Sequence, residues 1–423
     1  MAELIDLKEV EERVILVAVS TGDGADAAAS LDELEELVKT AGAVTADKVI
    51  QNRERIHPGS YLGKGKIQEI KERVWELDAT GVVCDDELSP AQMRNLEQEL
   101  DIKVMDRTMV ILDIFASRAT TREGKIQVEL AQLRYRSARL VGLRSSLSRL
   151  GGGIGTRGPG EKKLEMDRRL IHDRISILKA ELEDVKRHRE VARQQRDKNH
   201  VPVAAIVGYT NAGKSTLLNR LTDAGILAED KLFATLDPTT RNLNLPGGQQ
   251  VLLTDTVGFI RKLPHHLIEA FKSTLEEAKY SDVILHVVDA SNPQMDMQMY
   301  VVYETLRELG VSDKIMVTVF NKMDAADPEI TLRDVTSDHQ VRISAKTGEG
   351  LEDLLNLLET ILRNQKIYLE KTYSYKEAGK IQMIRKYGQL LTEEYREDGI
   401  FVSAYVPSEL FASLADSTDV IDD

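Results

Sequence analysis

The chain has 423 residues and a formal net charge of −14, and 42% of its residues are apolar and 30% charged. This composition excludes a disordered chain, and the length predicts about three folded domains. The single cysteine, Cys84, excludes an internal disulfide, and no apolar run approaches the ~18 residues of a membrane span. The N-terminus is acidic where a signal peptide would be basic, so we expect a cytoplasmic protein without a membrane span.

Residues 1–117 alternate strand-like and helix-like segments. The apolar run Arg13–Ser20 has the length of a strand, and Ser30 is placed to cap a helix that begins at Leu31. Residues 59–66 are rich in glycine but lack the spacing of a phosphate loop, so we interpret them as a turn before a helix. The alternation predicts a small layered α/β domain.

Residues 118–199 change to a helical pattern with heptad-type spacings on both sides of a glycine-rich break. The apolar positions are Ile126, Leu130, Leu133, Leu140 and Leu147, then Leu164, Ile171, Ile175, Leu178, Leu182 and Val185. The two series predict two helices packed as an antiparallel hairpin. The break, residues 151–160, contains six glycines and cannot stay helical, so we interpret it as the tip of the hairpin.

The predicted hairpin is basic inside an acidic protein. Residues 118–200 contain 21 Lys and Arg against 11 Asp and Glu, a balance of +10, while the rest of the chain has 35 against 59. Such a segment favours contact with a polyanion, most often nucleic acid, and Arg157 in the tip suits the phosphates of a folded RNA. A solvated helix surface and a simple connector are the alternatives that charge and composition leave open.

Residues 200–364 contain a phosphate-loop pattern between a strand-like run, Val203–Val207, and a helix. The eight positions are Gly208, Tyr209, Thr210, Asn211, Ala212, Gly213, Lys214 and Ser215. The glycines let backbone N–H groups close on a phosphate at the positive end of the helix dipole. Lys214 would bridge the β- and γ-phosphates, and the Ser215 hydroxyl would coordinate Mg²⁺.

A second group of motifs selects the base. The positions are Asn321, Lys322, Met323 and Asp324, followed after a short strand by Ser344, Ala345 and Lys346. The Asp324 carboxylate can accept two hydrogen bonds from guanine, from N1–H and the 2-amino group, which adenine does not offer. Ser344, Ala345 and Lys346 would pack against the other edge of the base. GTP and GDP are therefore the predicted ligands.

Two further segments complete the predicted site. The first contributes Phe233, Ala234, Thr235, Leu236 and Asp237, and the second Asp255, Thr256, Val257 and Gly258. Asp255 would hold Mg²⁺ through water, and the Gly258 N–H would sense the γ-phosphate. One threonine of the first segment should complete the magnesium shell, but spacing does not choose among Thr235, Thr239 and Thr240. Both segments are predicted switches that the γ-phosphate orders.

The last residues predict a strand over Ile367–Tyr375, a helix over Lys376–Tyr395 and a strand over Ile400–Val406. The expected fold class is therefore α/β in four parts. These are an N-terminal α/β domain (1–117), a basic helical hairpin with a glycine-rich tip (118–199), a P-loop GTPase domain with a mostly parallel sheet and helices on both faces (200–364), and a C-terminal α+β domain (365–423).

The motifs together resemble the HflX family, within the Obg-like group of GTPases. The likeness is carried by Gly208–Ser215, Phe233–Arg241 and Asp255–Phe259, and it extends upstream through Arg122–Leu130 and Gly158–Glu161. It implies a GTP hydrolase and favours Thr235 beside Ser215 in the magnesium shell. We therefore expect Lys214, Thr235 and Gly258 to act in catalysis. Similar potassium-activated GTPases carry an Asn ligand where Asn211 stands, which implies K⁺ as a second cofactor.

The resemblance also implies a partner and a cellular role. The N-terminal domain and its hairpin would bind the large ribosomal subunit, with the glycine tip directed toward the peptidyl-transferase region. A monomer would then use GTP to split or rescue stalled or idle ribosomes, and the ribosome would stimulate hydrolysis. Phe259 predicts slow hydrolysis by the isolated chain. Phe259 stands where many GTPases place a glutamine that orients the attacking water, and an apolar side chain cannot do this.

Two other functions stay open: the GTPase module of an RNA-modifying enzyme, and that of a protein-signalling factor acting away from the ribosome. The first would need a catalytic constellation of its own, and the sequence outside residues 200–364 shows no metal-ligand cluster or activated cysteine. The second would use the hairpin to bind the helix of another protein, a contact that should persist at high salt.

Overall fold

The computed structural model describes residues 11–22, 25–147, 159–198, 201–222, 232–233, 239–263, 277–311 and 313–415. The chain forms two compact units. The first comprises Met1–Val185 with Asp230–Leu236 and Lys262–Lys272, and the second comprises Lys186–Glu229, Asp237–Arg261 and Ser273–Asp423. Among the described residues, no helix is both long enough and apolar enough to cross a membrane.

The first unit contains a four-stranded parallel sheet in the order β2-β1-β3-β4. Its strands are β1 (Arg13–Ser20), β2 (Val44–Asn52), β3 (Gly81–Cys84) and β4 (Lys103–Asp106), and its helices are α1 (Ala25–Thr40), α2 (Lys64–Glu76), α3 (Pro90–Leu100) and α4 (Arg107–Arg118). The core includes the strands' apolar side chains and the buried Cys84. This arrangement confirms the predicted α/β layering.

The start of α1 corrects one expectation. The helix begins at Ala25, so Ser30 lies inside it and does not cap it. The alanines before Ser30 are strong helix formers, and they extend the helix toward the N-terminus. The Ser30 hydroxyl instead donates a hydrogen bond to Asp85 Oδ2 at 2.7 Å. The turn predicted over residues 59–66 is confirmed, because α2 begins at Lys64 after Gly63.

Two long helices follow, α5 (Arg122–Leu147) and α6 (Pro159–Lys198). Their shared seam is a cluster of Ile126, Leu130, Ile175, Leu178 and Leu182, with Leu133, Ile171 and Val185 packed against it. Ion pairs join Glu129 to Arg174 and Arg122 to Glu181, which is the order of an antiparallel hairpin. The seam and the hairpin are confirmed up to Val185. The side chains of Leu140, Leu147 and Leu164, and the tip at residues 151–158 with Arg157, lie outside the described residues.

The second unit contains a six-stranded sheet in the order β10-β9-β8-β5-β7-β6. Its elements are β5 (Val203–Gly208), α7 (Lys214–Thr222), β6 (Thr239–Asn244), β7 (Gln250–Asp255), β8 (Val283–Asp289), α8 (Met295–Glu308), β9 (Ile315–Asn321), β10 (His339–Arg342) and α9 (Leu351–Asn364). Among the described strands of this sheet, only the β6–β7 pair is antiparallel. The carboxyl ends of β5, β7, β8 and β9 therefore meet at one edge, where parallel sheets bind ligands.

The chain ends in a three-stranded antiparallel sheet in the order β11-β13-β12. Its elements are β11 (Ile367–Tyr373), α10 (Ala378–Tyr387), β12 (Gln389–Arg396), β13 (Gly399–Val406) and α11 (Ser408–Leu414). The single helix predicted over Lys376–Tyr395 is therefore wrong. Gly388 ends α10, with its N–H bonded to Ile384 O at 2.8 Å, and the following residues pair with β13 despite their helical propensity.

Within the second unit, the helix α9 contacts both the three-stranded C-terminal sheet and the turn between β6 and β7 of the six-stranded sheet. The Glu359 carboxylate accepts a hydrogen bond from the backbone N–H of Gly247, in the turn between β6 and β7, at 3.1 Å. It also accepts one from the Gln389 side chain at the start of β12. Burial lowers the pKa of nearby Lys366 to about 8, while the Glu359 charge opposes that shift.

Candidate nucleotide site

The phosphate loop joins β5 to α7, as the sequence predicts. Lys214 is 7% exposed, and its Nζ donates a hydrogen bond to Tyr209 O at 2.7 Å, which holds the ammonium over the loop. Burial lowers the pKa of Lys214 to about 8, with Asp255 opposing the shift. Gly213 has φ +93°, and a Cβ there would lie 2.3 Å from Asn321 Nδ2, so no other residue fits this position.

The predicted magnesium ligands on the second unit lie together. The Ser215 hydroxyl, in the first turn of α7, donates to Asp255 Oδ2 at 2.8 Å. Asp255 is 1% exposed at the end of β7. A hydroxyl and a carboxylate beside a phosphate loop are hard oxygen donors of the kind that Mg²⁺ prefers, so these residues fit the ion.

The threonines of the first switch are only partly placed. Thr235 lies outside the described residues, as do Ala234, Leu236 and Asp237. Thr239 and Thr240 begin β6, and the Thr240 hydroxyl is 3.0 Å from that of Thr254. The Thr240 hydroxyl is thus engaged with a side chain of the neighbouring strand β7. The assignment of Thr235 to the magnesium shell stays a prediction.

The base-binding motif joins the ends of β9 and β10 to the phosphate loop. Asn321 Nδ2 donates to Ala212 O, and its Oδ1 accepts from Ala345 N, both at 2.9 Å. The Asp324 carboxylate accepts from the Ser344 hydroxyl at 2.7 Å, and Lys346 Nζ lies 3.9 Å from it. These bonds aim the carboxylate that would receive guanine. Met323 and Lys322 continue the same turn, with Lys322 at φ +63°.

Asp289 also lies at the carboxyl edge of the six-stranded sheet, and the sequence-based prediction does not include it. Asp289 ends β8, and its Oδ2 lies 2.7 Å from Lys322 Nζ, so it fixes the lysine that follows Asn321. The signal available in the sequence is an aspartate at the end of a buried strand that neighbours β9 in the sheet. Strand order cannot be read from one sequence, and this pairing is therefore found only in the fold.

The second switch begins against the phosphate loop. Phe259 N–H donates to Gly208 O at 3.1 Å, and Thr210 N–H donates to Phe259 O at 2.8 Å. The Tyr209 hydroxyl accepts from Arg261 N–H at 2.8 Å. Thr256 is also fixed, because its hydroxyl donates to Ile206 O. Val257 and Phe259 are buried, so this segment presents backbone and apolar side chains rather than a polar side chain.

Phe233, from the predicted first switch, and Lys262 belong to the first unit and contact residues of that unit. Phe233 has φ +55°, and its ring packs edge-on against Phe115 at a centroid distance of 4.7 Å. Lys262 Nζ lies 2.5 Å from Asp85 and 2.7 Å from Asp86. The sequence predicts Phe233 as part of the nucleotide site, but it predicts neither of these contacts.

Comparison with known proteins gives consistent matches along the chain. Three family models match in order: a GTP-binding GTPase N-terminal domain at residues 28–116, a GTP-binding GTPase middle region at 118–196, and a 50S ribosome-binding GTPase at 203–322. The chain is 88% identical to the GTPase HflX of Lacrimispora saccharolytica, with all of both chains covered. It is 49% identical to the GTPase HflX of Caldanaerobacter subterraneus, over 96% of this chain and 93% of that one.

A solved structure is also similar, a GTP-binding protein of the archaeon Sulfolobus solfataricus in complex with GDP. It is 25% identical, with 83% of this chain and 98% of that one covered and a TM-score of 0.44.

The parallel sheet, the phosphate loop and the Asn321–Asp324 motif define a P-loop GTPase. The sequence relatives extend over nearly the whole chain, hairpin and N-terminal domain included. The chain therefore belongs to the HflX GTPase family, and its reaction is the hydrolysis of GTP.

Proposed function

We propose that this GTPase binds the large ribosomal subunit and uses its GTP cycle to split or rescue stalled or idle ribosomes. The observation that carries the proposal is one chain in which a basic helical hairpin accompanies a guanine-nucleotide site. The match of residues 203–322 to a 50S ribosome-binding GTPase supports the choice of subunit. The function also requires the compartment in which ribosomes work, the cytoplasm.

The surface of the hairpin suits a polyanion. The apolar side chains of the seam are buried, whereas Met166, Leu170 and Ile177 of α6 are exposed. The exposed surface also carries four basic side chains, Arg136, Arg168, Arg169 and Lys179. Long basic side chains on exposed helix faces contact phosphates and release counterions, which makes such binding strongly dependent on salt. A partner that docks through apolar helix packing would show the opposite salt behaviour. RNA is therefore the favoured class of partner.

Charge reversal on the hairpin tests this interface. The double variant R168E/R169E should weaken binding to purified large subunits and reduce the salt slope of log K by roughly 2, about one for each phosphate that the hairpin can no longer neutralise. The matched control K39E/K64E makes the same change of charge on exposed positions of α1 and α2. Equal effects of the two variants would show that only net charge matters, and would contradict a hairpin interface.

The glycine-rich tip is tested by deletion of residues 151–160. We expect the shortened chain to bind GTP as before but to lose the stimulation of hydrolysis by large subunits. Stimulation that survives intact would exclude the tip as the sensing element. Turnover of the full-length chain with and without purified large subunits provides the reference. We expect stimulation of at least about tenfold, since a partner that completes a GTPase site can give far more.

Splitting is distinguished from sequestration by sedimentation of intact ribosomes. Incubation with the chain and a non-hydrolysable GTP analogue should convert intact ribosomes into separated subunits, with the chain on the large one. Intact ribosomes that persist, while free large subunits bind the chain, would favour sequestration. We propose that the chain acts as a monomer in this reaction, which a sedimentation run of the chain alone tests directly.

We propose Mg²⁺ and K⁺ as the two cofactors. Ser215 and Asp255 would hold Mg²⁺, which would neutralise charge on the β- and γ-phosphates. Asn211 is exposed in the phosphate loop at φ +62°, where its side-chain oxygen can face a bound nucleotide. GTPase rates that are equal in sodium and potassium would refute the K⁺ site, and the variant N211A should remove any difference between the two salts.

A further inference from the structure

Both helices of the C-terminal domain pack against the same face of its three-stranded sheet. Side chains of a strand point alternately to the two faces, so every second residue of β13 shares a face. One set of these residues lies in the buried core of the domain with side chains of α10 and α11. That core contains Ile400, Val402, Ala404 and Val406 of β13, Ile381 and Ile384 of α10, and Leu414 of α11. The other set lies on the opposite face of the sheet.

The opposite face, which we call the aromatic face, presents the rings of Tyr368, Phe401 and Tyr405. Phe401 and Tyr405 lie on β13, and Tyr368 of β11 is directly opposite Tyr405 in the antiparallel register. The rings of Tyr368 and Tyr405 meet edge-on, with their centroids 5.4 Å apart. Tyr368 is 47% exposed, and the other two are half-buried. Aromatic side chains grouped on a surface are typical of binding sites, because one stacking face or edge stays accessible.

Two arginines extend the aromatic face. The guanidinium carbon of Arg396 lies 3.9 Å from the ring centroid of Phe401, and that of Arg363, near the end of α9, lies 5.8 Å from the centroid of Tyr405. Arg396 also pairs with Glu394 at 2.7 Å, whereas Arg363 pairs with no carboxylate in the part of the chain that the structure describes. A planar guanidinium stacks on aromatic rings and donates hydrogen bonds to phosphate. The face therefore combines stacking surfaces with phosphate donors.

Two glutamates lie on the same face. Glu370 is opposite Ser403, and Glu394 is opposite Phe401. They balance the two arginines, so net charge alone does not attract a polyanion to this face. Flat rings beside guanidinium groups instead suit a partner with flat faces of its own. Unpaired bases offer such faces, whereas bases inside a duplex are already stacked on one another. The open sheet of the RNA-recognition motif binds two or three unpaired bases in this way.

We propose that the C-terminal domain binds single-stranded RNA on its aromatic face. Tyr368, Phe401 and Tyr405 stack on unpaired bases, and Arg363 and Arg396 donate hydrogen bonds to the phosphates between them. This contact with RNA is separate from that of the hairpin. The choice of RNA as the partner rests on the proposed function, whereas binding itself can be measured with short RNA and without ribosomes.

The test measures binding of a fluorescently labelled single-stranded RNA of about eight nucleotides to the full-length chain. Tyr368→Leu and Phe401→Leu keep apolar bulk but remove a flat ring, and each should weaken binding by about fivefold or more. Tyr368→Phe keeps the ring and should bind within about twofold of the original chain. The matched control Tyr300→Leu removes a tyrosine of α8 that is 62% exposed, and it should leave binding unchanged.

A second comparison separates the aromatic face from the hairpin. The ratio of RNA affinities between the original chain and Y368L should persist when both carry R168E/R169E. A ratio that falls to one in that background would place the RNA contact on the hairpin and overturn the proposal. Unchanged binding in both Y368L and F401L would also overturn it, as would an equal loss in Y300L. Failure of the chain to bind large subunits would contradict the proposed function and leave these ratios unaffected.

Discussion

The two parallel sheets of this chain share an architecture but differ in the chemistry at the carboxyl ends of their strands. In the first sheet the aspartates at these ends meet cations of the same unit. Arg107 is 2.6 Å from Asp85, and Arg139 is 2.7 Å from Asp106. In the second sheet the corresponding edge carries a glycine loop, a buried Lys214 and Asp255, all suited to phosphate and Mg²⁺.

A parallel sheet thus supplies a place for a ligand but does not determine the ligand's identity. Arg107 is 1% exposed and also pairs with Glu33. The charges at the edge of the first sheet are therefore neutralised by ion pairs within the folded unit. The second sheet leaves a buried cation whose pKa is lowered, a state that a bound phosphate would relieve. The first edge stabilises its domain, whereas the second is the edge at which we propose that nucleotide binds.

The strongest consequence of this contrast should be on stability. Arg107→Ala should lower the free energy of unfolding by about 3–5 kcal/mol, because it removes the cation buried between Asp85 and Glu33. Chemical denaturation measures the change. The matched control Arg73→Ala breaks a more exposed pair with Asp47 and should cost only about 0–1 kcal/mol. Nucleotide affinity should be unchanged in a folded R107A protein. A large loss of affinity would show that the first edge also contributes to nucleotide binding, and would contradict the distinction between the two edges.

The next effect is on base recognition. Asp324→Ala should weaken GDP binding by at least about a hundredfold, since charged hydrogen bonds to guanine contribute about 1.5–3 kcal/mol each. Titration with a fluorescent nucleotide measures the loss. Asp353→Ala serves as the control, because it removes an exposed carboxylate from the first turn of α9 and should leave GDP binding nearly unchanged. If the D324A protein retained its affinity for GDP, the assignment of guanine recognition to Asp324 would be wrong.

A more modest effect concerns pH. Burial lowers the pKa of Lys214 to about 8 in the ligand-free chain, so above that pH the side chain is increasingly neutral and must take up a proton to bind phosphate. Affinity for GTP should therefore be nearly constant below about pH 7.5 and decrease toward tenfold per pH unit above about 8. Lys214→Arg keeps its charge at these pH values and should show a flatter profile. Identical profiles would exclude Lys214 as the titrating group.

The weakest effect tests a helix cap in the first unit. Ser89 caps α3, accepting a hydrogen bond from Gln92 N–H while the Gln92 side chain bonds back to Ser89 N–H. Ser89→Ala should lower the free energy of unfolding by about 1 kcal/mol, measured as a lower melting temperature, and should leave GTP turnover unchanged. Altered turnover would show that the first unit does more than support the hairpin.

Much of this molecule is predictable from its sequence because local signals agree with the fold. The phosphate loop, the Asn321–Asp324 motif and the seam around Leu178 each follow from spacing, and each is found where expected. The prediction for the tail is wrong because residues after Gly388 have helical propensity and become a strand only by pairing with β13. The assignment of roles to Thr235 and Arg157 stays a prediction.

Other features depend on contacts between residues that are distant in sequence. Ser30 has the residue type of a helix cap, but its hydroxyl bonds to Asp85 from inside α1. Asp289 reaches Lys322 only because β8 and β9 are neighbours in the sheet. A single sequence gives residue types and spacing, and these two features follow from neither.

The carboxylate of Glu359 connects the C-terminal sheet to the turn between β6 and β7 through hydrogen bonds. It bonds to Gly247 in the turn between β6 and β7 and to Gln389 in the last sheet. A Cβ on Gly247 would lie 2.1 Å from that carboxylate, so a larger residue there would displace the Glu359 side chain. One strand of this hairpin starts at Thr239 and the other ends at Asp255. A conformational change in the C-terminal sheet would therefore reach the β6–β7 hairpin, whose ends adjoin the residues that we predict to bind Mg²⁺ and the γ-phosphate.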